Sequence, residues 1–92
     1  MDMNPRTSTG PSAISGVVVR SRQEDLAAVA ARLAHLPGID VHHLEEATGR
    51  VIITLETESG DQEEARMESV RRDPGVLSAE LVYHYVDPQG AV

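Results

Sequence analysis

Four histidines, His35, His42, His43 and His84, are the side chains through which this chain could hold a metal, since imidazole is a common ligand. His42 and His43 are adjacent on an expected strand, where neighbouring side chains point to opposite faces, so the two are not expected to share one ion. His35 lies near an expected helix end, where a cation meets the helix dipole favourably, and that structural role accounts for it. The carboxylates Asp61, Glu63, Glu64 and Glu68 fall on one helix surface and read as a solvated face. No Ser-His-Asp or Cys-His set is suggested, so no catalytic residue, metal site or cofactor is expected. Gly38 and Gly75 follow helices, where a left-handed residue is wanted, and no glycine run opens a helix to cradle phosphate. Arg71-Arg72 is internal and lacks a following apolar run, so the helix dipole explains it better than an export signal does.

The elements that must position these side chains are bounded first by size. Ninety-two residues allow one domain with much of its surface in water, so a shallow binding surface is expected rather than a deep catalytic cavity. With no Phe or Trp, the core must be built from Val, Leu, Ile and Ala, and Tyr83 and Tyr85 are the only aromatic residues. Cysteine is absent, which removes disulfides and thiolate chemistry and fits a reducing, cytoplasmic compartment. A net charge of −7, with arginine supplying every basic side chain, opposes nucleic acid and anionic membranes and favours a cationic partner. No apolar run approaches the length needed to span a bilayer, so no membrane insertion is expected.

Residues 1–12 and 87–92 read as flexible tails around one domain spanning 13–86. Within it, Ile14 to Val19 is an apolar strand, followed by Ser21 and Glu24 at capping-box spacing and by Leu26, Val29, Ala30 and Leu33 at helical spacing. Ile39 to Leu44 and Val51 to Glu56 form a hairpin across Ala47-Thr48-Gly49. Ser59 and Gln62 offer a second capping box, and the helix beyond has Met67 and Val70 as its inward residues before a last strand, Val76 to Val86. Leu33-x-x-x-Pro37-Gly38-Ile39 recurs as Val70-x-x-x-Pro74-Gly75-Val76. Two strand-helix-strand units predict an α+β, ferredoxin-like β-α-β-β-α-β domain: a four-stranded antiparallel sheet with two helices on one face.

The other sheet face is then open. Period-two alternation turns Val17, Val19, Val51, Ile53, Leu55, Ala79, Leu81 and Tyr83 toward the helices. It leaves Ile14, Gly16, Val18, Ile52, Thr54, Glu56, Ser78, Glu80, Val82 and His84 outward, an apolar strip edged by carboxylates. RNA-binding domains of this topology stack bases on aromatic rings at that face, and none is expected here, so a nucleic-acid partner is not expected.

The run Ser69-Val70-Arg71, Pro74-Gly75-Val76-Leu77 and Leu81-Val82-Tyr83-His84 resembles the NapD family, assembly chaperones of the periplasmic nitrate reductase. Weaker likeness extends through Val17-Val18-Val19, Leu33, Pro37-Gly38 and Thr48-Gly49. The resemblance implies a cytoplasmic, non-enzymatic protein that binds the twin-arginine signal peptide of the nitrate reductase catalytic subunit and delays its export while the molybdenum cofactor is inserted into that enzyme. A twin-arginine signal is cationic and then apolar, so carboxylates beside an apolar strip suit it. The residues expected to meet it are Ile14, Val18, Ile52, Thr54, Glu56, Glu80, Val82 and His84, with Glu56 and Glu80 facing the arginines. A monomer is expected. Two other functions share this topology: a small-molecule module of the ACT type, opposed by Arg20-Ser21-Arg22 where a glycine-bearing loop would stand, and a domain that forms homo-oligomers by edge-strand pairing.

Overall fold

Three consecutive valines favour extended backbone, and they lie in β1 (Ser12–Arg20), the strand around which the sheet is built. β1 pairs antiparallel with β3 (Arg50–Thr57) on one side and with β4 (Ser78–Asp87) on the other, while β2 (Ile39–Glu45) pairs with the far edge of β3. The order is therefore β2-β3-β1-β4, and with α1 (Leu26–Ala34) and α2 (Gly60–Arg71) the chain forms the expected ferredoxin-like fold. The computed structural model describes residues 12–87. The expected tails lie outside the described residues, apart from the paired backbone of Ser12 and Asp87.

Both helices cover one face. Val17, Val19, Val51, Ile53 and Leu55 alternate inward from β1 and β3 to meet Leu26, Val29 and Leu33 of α1 and Met67 and Val70 of α2, all buried. α1 thus carries a full apolar stripe, whereas α2 buries Met67 and Val70 alone. Polar ties make up the difference for α2. The Ser59 hydroxyl accepts the Gln62 amide at 3.1 Å, the Gln62 side chain accepts the Glu58 amide at 2.8 Å, and Arg66 donates to the carbonyls of Glu56 at 3.1 Å and Pro37 at 2.8 Å.

Ser21 does not cap α1. Its amide is drawn to the Gly49 carbonyl at 2.8 Å and its hydroxyl to the Arg22 carbonyl at 3.0 Å, so the helix is entered through a 3-10 turn, Gln23–Asp25, instead. His35 does sit where a helix-terminal donor is useful, its Nδ1 donating to the Ala31 carbonyl at 2.8 Å.

The repeated Pro-Gly stops differ in what they need. Gly38 has φ +74°, the left-handed backbone expected of it, but Gly75 does not share that conformation. Gly75 is required for space: a Cβ there would stand 2.5 Å from Cγ2 of the buried Val29. Its amide donates at 2.8 Å to Asp73, which also receives a two-pronged contact from Arg32, both distances 2.8 Å. The Arg32 hydrogen bonds, helped by the Gly75 amide, hold the Asp73 carboxyl below the usual aspartate range against the opposing effect of burial. This pair joins the end of α1 to the loop after α2, and so links the two repeats.

The sheet carries two register shifts. In β4 the pairing passes from Val17↔Leu81 to Gly16↔Tyr83, which leaves Val82 as an extra residue; in β2 it passes from Val41↔Ile53 to His43↔Ile52, which leaves His42 extra. Each bulge reverses the alternation beyond it. Tyr83 pairs with Gly16 and Tyr85 with Ile14, so both rings stand on the open face, contrary to the inward placement expected for Tyr83 and to an open face without aromatics. His84 pairs with Ser15 and turns toward α2, so it is not on the open face as expected. His42 and His43 also share a face, since His42 Nε2 reaches the Thr54 hydroxyl at 2.7 Å and His43 is opposite Ile52. Their expected opposition is lost, although no group of three or more His, Cys, Asp or Glu that could hold a metal forms among the described residues.

Asp73→Asn should lower the thermal midpoint at neutral pH. Because the folded Asp73 pKa is depressed, its contribution is present above the unfolded value of about 3.9 and fades as pH falls through the lower folded value. Melting curves should therefore show the gap between wild type and variant closing below about pH 4. Gly75→Ala should cost about 1–3 kcal/mol in urea unfolding, because Val29 cannot move without disturbing the core.

Candidate functional site

Cross-strand pairing arranges the open face in rows. At one end Arg50 and Arg20 stand side by side, with Glu45 3.8 Å from Arg50. The next row is His43, Ile52, Val18 and Glu80, followed by Asp40, Thr54, Gly16 and Tyr83, and then by Glu56, Ile14 and Tyr85. Each row carries one carboxylate, Glu45, Glu80, Asp40 or Glu56; what changes along the face is the arginine pair at one end, the apolar Val18 and Ile52 next to it, and the tyrosines toward the other end.

Gly16 explains how a tyrosine lies flat in that middle. A Cβ at Gly16 would coincide with the Tyr83 ring edge, so the missing side chain is the space the ring occupies. Tyr83 and Tyr85 remain 51% and 59% exposed, Ile14 40% and Val82 54%, a large apolar exposure for so small a domain. Val18, Ile52 and Thr54 form a half-buried floor, and Glu56 and Glu80 are exposed at its edges. Of the residues expected to meet a peptide, Ile14, Val18, Ile52, Thr54, Glu56 and Glu80 thus share one face, Val82 is the exposed extra residue of the β4 bulge, and His84 lies behind the sheet. Tyr83 and Tyr85 were absent from that set. Gly16 in mid-strand was the signal that could have placed them, since an isolated strand glycine marks a bulge or a close approach.

Behind the sheet, His84, Ser15 and Glu63 come together. The Ser15 hydroxyl donates to Glu63 at 3.2 Å and lies 2.8 Å from His84 Nδ1, which is itself 3.4 Å from Glu63. Ser15 and Glu63 both face the same imidazole nitrogen, Nδ1, so hydroxyl and carboxylate do not stand on opposite ring nitrogens as a relay requires. Ser15 is also wholly buried. The trio is a structural tie between β1, β4 and α2, not a nucleophilic relay.

No helix among the described residues is long and apolar enough to cross a membrane. The tyrosines could in principle stack bases, but the net charge of −7 opposes the phosphate contacts that supply most nucleic-acid affinity.

Residues 12–88 match the NapD protein family. The chain is similar to the chaperone NapD of Escherichia coli strain K12, 31% identical over 77 residues that cover 84% of this chain and 88% of that one. Its likeness to the chaperone NapD of Haemophilus influenzae is 26% over 76 residues, or 83% and 82% of the two chains. The solution structure of the E. coli Tat proofreading chaperone protein NapD superposes with a TM-score of 0.77 at 29% identity, covering 94% of this chain and 87% of that one. The chain belongs to the NapD family, a family of chaperones rather than enzymes.

Proposed function

We propose that this chaperone binds, on its open sheet face, the twin-arginine signal peptide of the periplasmic nitrate reductase catalytic subunit. It does so in the cytoplasm, as a monomer, and holds back export until the molybdenum cofactor has been inserted into the enzyme. The observation that carries this reading is the uncovered face itself, apolar and aromatic beyond its arginine end and edged by one carboxylate in each row. The Tat proofreading role named for the E. coli relative supplies the partner class.

Charge polarity supports an orientation. A peptide that is cationic and then apolar avoids the Arg20–Arg50 end, lays its apolar run over Val18, Ile52 and Tyr83, and brings its arginines toward Glu56, Ile14 and Tyr85. The tyrosine rings offer cation–π contact to a guanidinium in addition to the carboxylate. Glu80 lies one row from the basic end, so its share in arginine binding is smaller than that of Glu56.

Calorimetry with a synthetic peptide containing two arginines followed by an apolar segment tests this. Glu56→Lys should weaken binding about fivefold or more, and Glu80→Lys less, with neither changing the fold. Unchanged affinity in both would remove the charge pairing. Val18→Asp should reduce affinity by about thirtyfold or more, because a carboxylate covered by the peptide's apolar run has no partner. Wild-type affinity in that variant would sink the sheet-face reading.

A further inference from the structure

The open face is complementary to itself. Arg20 and Arg50 stand directly opposite one another on β1 and β3, a like-charge pair that costs stability unless an acidic group opposes it. Within the chain the carboxylate near them is Glu45, 3.8 Å from Arg50. Next to the arginines lie the half-buried Val18 and Ile52. A basic pair followed by apolar surface is the pattern proposed for the peptide, and the face itself presents it. At the other end Glu56 is exposed beside Ile14 and Tyr85, and among the described residues no basic side chain shares that row.

Two copies can meet face to face about a twofold axis in two aligned ways. An axis parallel to the strands lays Arg20 and Arg50 over the same pair of the second copy, which repels. An axis across the strands reverses the rows and keeps each strand over its own counterpart. Arg50 then faces Glu56 of the second copy along β3, and His43 faces Asp40 of the second copy along β2, each contact occurring twice. Val18 and Ile52 meet Gly16 and Thr54, while Arg20 comes over Ile14 beside the Tyr85 ring, within reach of cation–π contact. Aligned sheets cross at about 30°, which moves the end rows sideways by about 5 Å, a distance that an arginine side chain spans.

We propose that, without peptide, two copies of this chain cover each other's open face in this antiparallel arrangement, so that a second copy and a bound peptide exclude one another. The exclusion rests on the signal-peptide reading above; the self-association does not. Magnitudes make the pairing weak enough to displace. Four strands about 4.8 Å apart and about six residues of 3.3 Å rise outline about 400 Å² in projection, short of the ~800 Å² per partner of a standard interface. Each copy also carries a net charge of −7, which opposes their approach. Association in the range of about 10 μM to 1 mM follows.

Sedimentation of the full chain across that range should show the mean mass rising from one chain toward two, and ¹⁵N spectra over the same dilution should shift the amides of Gly16, Val18 and Ile52. A constant mass up to about 1 mM, or shifts confined to an edge strand, β2 or β4, would overturn the face-to-face pairing. Arg50→Glu and Glu56→Lys should each weaken self-association about fivefold or more, since the contact occurs twice. An equimolar mixture of the two should restore it, because each reversed residue then meets an opposite charge. His43→Glu and Asp40→Lys, at exposed positions of β2, form a second such pair and serve if Arg50→Glu impairs folding. Mixtures that associate no more tightly than the single variants would refute the arrangement. With the twin-arginine peptide added, the mass should fall to one chain with its peptide. Peptide carried on two chains would overturn the exclusion, and the sheet-face reading with it, while the pairing stands. Peptide-induced shifts at Val18 in a chain that is monomeric at every concentration would overturn the pairing and leave the sheet-face reading standing.

Discussion

The extra residue in β4 governs what either side of the sheet can do. Val82 has no partner on β1, and beyond it the side chains of Tyr83, His84 and Tyr85 change face. Without it, Tyr83 and Tyr85 would press toward α2, on the side where Ser15 now meets His84. With it, both rings pass to the open face, and Gly16 supplies the hollow for one of them. A bulge forgoes regular ladder pairing at one position, and here the compensation lies on both sides: aromatic packing over Gly16 on one, the Ser15–His84–Glu63 tie on the other. The aromatic open face and the polar tie behind it are thus two results of a single register shift.

α2 shows why polar ties matter in this fold. Two buried apolar side chains secure it less firmly than the stripe that secures α1, and its placement leans on Arg66, on the Ser59 cap and on Glu63. Its far end is secured differently, through the loop where Asp73 accepts from both Arg32 and the Gly75 amide. Few buried apolar contacts mark a segment of low local stability. The first turn of α2 is therefore the helical segment held by its cap and polar ties rather than by the core.

Much of the fold was legible because the two halves repeat and the central strands are regular. Val17 and Val19 alternate without interruption in β1, as do Val51, Ile53 and Leu55 in β3, so the period-two rule places all of them correctly. The same rule fails in β2 and β4, where a bulge adds one residue that no periodicity reveals, and it fails at the positions that define the site: Tyr83, His84 and the His42–His43 pair. Capping logic divides in the same way. Ser59 caps α2 because nothing competes for it, whereas Ser21 is claimed by the hairpin at Gly49, a tertiary contact invisible in the local spacing. The elements follow from local chemistry; the site follows from long-range register.

That division bears on how a domain with a common topology comes to a particular partner. The ferredoxin-like sheet by itself specifies an open face and nothing about its occupant. On the proposed reading, selectivity comes from the order of rows on that face: the arginine pair at one end would repel a cation, the half-buried Val18 and Ile52 with Tyr83 would accept apolar chain, and Glu56 beside Tyr85 would accept a cation. A uniformly acidic face would take any basic peptide, and a uniformly apolar one would take any exposed hydrophobic segment. A graded face requires both properties, in one direction along the chain, which is the pattern of a basic motif followed by an apolar run. The negative charge of the chain would bring such a segment close, but the row order would decide whether it fits.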